Sequence, residues 1–221
     1  MMSSNRTAAV ITGSLFLIAM LASLVGGGLL ETVLNNQDTL ANLSTNPEPL
    51  WTGVSLELLN GIAVAGIAIV MYPILKRQNE SVAIGYVSFR ILESVFCVLG
   101  AVIPVILLSL GQDYLNTDSA GKANYQALVS LLMAIRTQSA GLLIPVFFSL
   151  GALLLYSSMY VSRIVPRFIS VWGLIGVALI LMLNLLALAP GLAIVFALPI
   201  ILNEIFLGGW LIVKGFNPSN I

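Results

Sequence analysis

Five charged side chains, Glu57, Arg90, Glu93, Arg136 and Glu204, lie inside long apolar stretches of this chain, together with the amides Asn60, Gln138, Asn184 and Asn203. A charge near the centre of a bilayer costs roughly 2.5 to more than 10 kcal/mol, so such groups turn to the protein interior and find partners. Three kinds of chemistry are open to the set. Carboxylate–guanidinium pairs lock helices together. A polar cavity binds a small ligand, a lipid head group, an ion or a proton. A carboxylate pair such as Glu93 with Glu204 supports acid–base catalysis.

Spacing narrows the arrangement. Glu57, Gly61, Ala65 and Ala68 fall on one helical stripe with Asn60 beside it, and Tyr86, Arg90, Glu93, Cys97, Gly100 and Pro104 fall on another. Counted from the ends of their apolar stretches, Glu57 and Arg136 reach a similar depth toward one membrane face and are expected to pair. Arg90 and Glu204 reach a deeper common level and are expected to pair too, with Glu93 one turn from Arg90 in the same network. The candidate binding residues are therefore Glu57, Asn60, Arg90, Glu93, Arg136 and Glu204. If the pairs do no more than set packing, the chain reads instead as a structural or accessory membrane subunit.

Other chemistries find no support in the residue types. The chain has no histidine, which removes the commonest metal ligand and general base, and neither a metal nor a cofactor is called for. A serine nucleophile lacks a base, and no aspartate lies within a span. The single cysteine, Cys97, cannot form an internal disulfide and reads as a small packing residue. Nine basic and nine acidic residues give zero net charge, so no basic patch invites nucleic acid.

The elements that must position these groups are membrane helices. Only 8% of the 221 residues are charged and 59% are hydrophobic, too apolar a composition for a water-facing surface. Six stretches, 8–30, 50–75, 82–110, 128–160, 168–189 and 192–213, meet the roughly 20 apolar residues that a bilayer span needs. The expected fold is all-α, a polytopic bundle of six transmembrane helices forming one domain over residues 1–221. The stretch 124–138 is mixed in character and is expected to begin as an amphipathic segment at the outer interface. Trp51, Trp172 and Trp210 fall near span ends as interfacial anchors. The polar loop from 31 to 49 is expected to lie over the outer mouth of the bundle.

Orientation follows from the cations. Arg6, Lys76, Arg77, Arg163, Arg167 and Lys214 fall on the side of the termini, and Lys122 alone falls on the other. The positive-inside rule then places both termini in the cytoplasm and the protein in the cell membrane as a multi-pass chain.

Four stretches, LELLNGIAVAGIAIVMYPILKR (56–77), GYVSFRILESV (85–95), SRIVPRFISVWGLIG (162–176) and LPIILNEIFLGGWLIVKGF (198–216), resemble an uncharacterised prokaryotic integral-membrane family known only as a domain of unknown function, DUF4386. The resemblance implies a six-helix membrane protein of bacterial type and supplies no reaction, substrate or cofactor. Glu57, Asn60, Arg90, Glu93, Arg167 and Glu204 lie inside the stretches that carry it.

Overall fold

A computed structural model describes residues 4–35, 40, 43, 47–186 and 192–220. The described residues include seven long α-helices: α1 (Ser4–Leu34), α2 (Glu48–Lys76), α3 (Glu80–Leu115), α4 (Ser119–Gln138), α5 (Ile144–Ser162), α6 (Arg167–Leu185) and α7 (Ala193–Val213). A π-helical turn, Ser139–Leu143, fuses α4 to α5. The result is six runs long and apolar enough to cross a membrane, the fourth being Gly121–Ser162. This is the integral membrane bundle expected from composition. Its outward face is correspondingly apolar, with Ile62, Ile69, Val161 and Ile194 each at least two-thirds exposed.

The expected spans are recovered, with one substantial difference. The fourth helix begins at Ser119, about nine residues before the apolar stretch does, and runs on without a break into the span. At 1.5 Å per residue its 42-residue run is about 63 Å long, twice the hydrocarbon thickness of about 30 Å. The far end of α3 and the start of α4 therefore project beyond the membrane as a helical hairpin. Its tip is closed by the Asp118 carboxylate, which accepts from the Gly121 amide at 2.9 Å. Tyr114 and Tyr125 meet edge to face, and Lys122 lies over the Tyr114 ring. The loop expected to cover the outer mouth lies mostly outside the described residues, as does the end of the expected fifth span beyond 186.

Proline explains the π turn. Pro145 has no amide to donate, and its ring would meet the carbonyl four residues back, that of Gly141. Gly141 lies within the widened turn, and Pro145 occupies the first turn of α5. At the other end of α5, Arg163 adopts a left-handed conformation (φ 57°) and donates its amide to the Met159 carbonyl, stopping the helix ahead of Pro166 and α6.

Each helical run packs on its neighbour in chain order, and α7 returns to α1 to close the ring. Small residues set the closest approaches. A Cβ on Gly13 of α1 would lie 2.5 Å from the Gly208 carbonyl oxygen of α7. The Arg6 guanidinium donates to the carbonyls of Leu211, Ile212 and Val213, capping α7 and holding the two ends of the chain at one face. One apolar core unites all the spans toward that terminal face, with Ile67, Tyr86, Tyr156, Ile169 and Leu207 fully enclosed. A second core, around Leu30, Leu50, Val54 and Leu107, fills the opposite half. Among the described residues, the second core draws none from α6 or α7.

Candidate functional site

Arg136 reaches from α4 to α2 and meets Glu57 fork to fork, Nη2 to Oε1 at 2.6 Å and Nη1 to Oε2 at 3.1 Å. The two side chains are 13% and 16% exposed. The expected Glu57–Arg136 pair is thus formed, in the bidentate geometry that a guanidinium and a carboxylate share. The same Nη1 donates to the carbonyl of Gly100 on α3. That carbonyl is freed by Pro104, which has no amide to return four residues along the helix. Arg136 therefore binds three runs of helix together through one planar group. Of its five N–H donors three are engaged and two face no described partner.

Above and beside this pair lies a cavity of about 570 Å³, bounded by α1, α2, α3 and the α4–α5 run, with no contribution from α6 or α7. Its polar lining is Glu57, Arg136, Asn60, Ser23, Thr137 and Ser139, and Glu31 and Asn35 stand at its outer rim. Asn60 turns its amide to the Cys97 sulfur at 3.6 Å. Counting back from Lys76, Glu57 lies about 29 Å from the terminal-face end of its helix, near the opposite edge of the hydrocarbon.

A second space, of about 250 Å³, lies deeper. Arg90 and Glu93 line it, paired at 2.8 Å, and both are almost fully buried. The Arg90 guanidinium also lies over the rings of Phe16 and Phe148, which shield it on both sides. Arg90 is about 15 Å from the start of α3, which is mid-membrane. Ser23, Asn60 and Ile144 line both spaces and stand between them.

The expected Arg90–Glu204 pair is not formed. Glu204 lines the deeper space, yet Arg90 takes Glu93 instead, because a carboxylate one turn along the same helix is held in reach by the helix itself. Among the described residues no hydrogen bond or ion pair to the Glu204 side chain is found. The amides separate as well. Gln138 is exposed, Asn184 bonds back to the Ile180 carbonyl of its own helix, and the buried Asn203 donates to the Ile169 carbonyl of α6. Of the four, Asn60 alone lines the two spaces.

All six residues of the α3 stripe, from Tyr86 to Pro104, are buried. The profile of a family described as Domain of unknown function (DUF4386) matches residues 11–215. The chain belongs to the DUF4386 family. No curated protein and no solved structure matches it. In this DUF4386 protein the matched region contains all six candidate residues, so the polar interior lies within the family domain.

The sequence alone did not point to several residues of the outer cavity's lining, among them Cys97, Ser139, Gly141 and Gly27. Cys97, taken as packing, lines it and receives the Asn60 amide. Ser139 and Gly141 enter through the π turn, whose signal was Pro145 with glycine four residues before it. Gly27 forms part of the α1 wall, and a Cβ placed there would meet nothing within 4 Å. The run Gly26-Gly27-Gly28 was the available sign that this stretch of α1 leaves room. Gly26 meets Leu56 and Gly53 of α2 at close range.

Proposed function

We propose that this DUF4386 protein binds a small polar or amphipathic ligand in the outer cavity, with Arg136 and Glu57 as the charged recognition pair and Asn60 as a polar contact. The distribution of cations supports a cytoplasmic side for both termini, with the cavity toward the opposite face. The observation that carries the proposal is a cavity of about 570 Å³ lined by an ion pair whose guanidinium retains two donors. That volume is in the range of small-molecule sites, which run from about 300 to 1,000 Å³. Packing alone would call for a filled interface, since small residues suffice to bring membrane helices together. Arg90, Glu93 and Glu204 line the separate, deeper space and stand outside the proposed site.

The native Cys97 tests access without any introduced label site. A small charged thiol reagent applied from the face opposite the termini should modify Cys97 in intact membranes, and Met133→Trp, at the cavity wall, should slow the reaction at least tenfold. If Cys97 reacts only after denaturation, the cavity is sealed and the proposal is wrong.

A second reading, in which the pairs only fix packing, is favoured by the bidentate geometry of Glu57 with Arg136. Replacing Glu57 with Gln separates the two. Loss of one partner of a sealed pair destabilises a protein by about 3–5 kcal/mol, whereas in an accessible cavity water solvates the stranded guanidinium and the loss should be about 1 kcal/mol.

A further inference from the structure

At the terminal face, a separate recess of about 490 Å³ opens between the α5–α6 link and the end of α7. It shares no lining residue with the two intramembrane spaces. Arg163, Arg167 and Lys214 stand around it, all three are exposed, and no acidic residue is among its described lining. Its shape is held from both sides. Arg163 is fixed by the left-handed turn that ends α5, and the Asn217 amide donates to the Ile164 carbonyl at 2.8 Å, tying the segment after α7 onto the link. Arg167 is steadied over the Tyr160 ring at 4.9 Å.

Trp210 forms one wall of this recess and begins an aromatic ladder along the outside of α6 and α7. Phe206 stacks on Trp210 at 6.2 Å, Phe168 meets both edge to face, and Trp172 follows against Phe206. Phe168 and Phe206 are 54% and 41% exposed, so this ladder faces lipid. A cationic recess at the membrane surface thus continues directly into an apolar track leading toward the bilayer interior. An anionic ligand that is entirely water-soluble has no use for the track, and an apolar ligand has no use for the cations.

We infer that this recess is a binding site for an anionic phospholipid, its headgroup phosphate held by Arg167 and Lys214 and its acyl chain lying along the ladder from Trp210 to Trp172. Basic pockets between helices on the cytoplasmic side hold anionic headgroups by the same combination of charge and depth. The guanidinium fork suits phosphate oxygens in particular.

The test is a titration of the purified full chain in neutral detergent with phosphatidylglycerol, phosphatidylcholine or inorganic phosphate, reading thermal stability. Phosphatidylglycerol should stabilise saturably and the other two should not. Each cation near a membrane surface contributes about fivefold in affinity, so R167Q/K214Q should raise the half-saturating phosphatidylglycerol concentration by about 25-fold. The charge-preserving R167K/K214R should recover most of that loss, which separates binding from misfolding. K76Q/R77Q removes as much positive charge from the same face, away from the recess, and should shift the titration no more than about twofold. Equal shifts from the two double variants would reduce the effect to general surface charge and overturn the site. Stabilisation by phosphatidylcholine to the same degree, or by inorganic phosphate alone, would overturn the assignment to an anionic lipid.

Discussion

The guanidinium of Arg136 donates to the carbonyl of Gly100, the acceptor that Pro104 leaves without its helical donor. A proline inside a helix leaves the carbonyl four residues back without its backbone donor. Here a side chain from the fourth span supplies the missing hydrogen bond and, with its other edge, holds Glu57 of α2. The kink residue and the ion pair are therefore parts of one arrangement.

A thermodynamic cycle follows from that. Arg136→Gln removes the partner of both the Glu57 carboxylate and the Gly100 carbonyl, and with both groups lining a water-accessible cavity it should destabilise the protein by about 2 kcal/mol. Pro104→Ala restores an amide to the Gly100 carbonyl, so Arg136→Gln should cost about 1 kcal/mol less in the Pro104→Ala background. Denaturation of the four proteins in the same detergent measures the difference. Strictly additive effects would show that the carbonyl does not depend on Arg136.

Glycine substitutions should divide sharply by position. Gly13→Ala places a methyl group against the backbone of α7 and should destabilise by about 1–3 kcal/mol. Gly27→Ala meets nothing and gains helix propensity, so stability should hold or rise by up to about 1 kcal/mol. Melting temperatures of the two variants provide the check, and equal losses would refute the close approach of α1 to α7.

Glu93 and Glu204 should prove coupled. Glu93→Gln removes the one carboxylate paired with Arg90 among the described residues and leaves Glu204 as the remaining acid lining the same space. Glu204→Gln alone should be tolerated within about 1 kcal/mol, since no described hydrogen bond or ion pair is lost. The double variant should be less stable than the sum of the singles by about 1–3 kcal/mol. Unfolding free energies of the three variants against the parent decide it, and additivity would mean that Arg90 never turns to Glu204.

Orientation can be read by labelling. In a Cys97→Ser background, single cysteines at Asn79 and Ser162 should be shielded from impermeant thiol reagents in intact cells, and one at Asp118 should react. Reaction at Asn79 or Ser162 would invert the assigned topology.

The sequence by itself determined the class and the spans, because the absence of enough polar surface and the length of each apolar run are properties of composition that any packing must obey. It also determined which faces of α2 and α3 turn inward, since polar and small residues recurring at helical spacing share one face, and a charge on that face avoids lipid only by turning to the protein. The Glu57–Arg136 pair was legible for the same reason, as two opposite charges at one depth. Arg90 was a different case: depth put it level with Glu204 on α7, while the structure joined it to Glu93. Equal depth does not fix the rotation of two helices about their axes, whereas a one-turn separation on a single helix does fix reach. Nor did depth separate the four amides, of which Asn60 alone turned to the cavities and Gln138 turned out to the surface. The cavity itself belonged wholly to tertiary structure. Its walls come from α1, α2, α3 and the fourth span at its π turn, four runs far apart in the sequence. Empty space is set by the separation of helices distant in sequence, and no local pattern of residues records that separation.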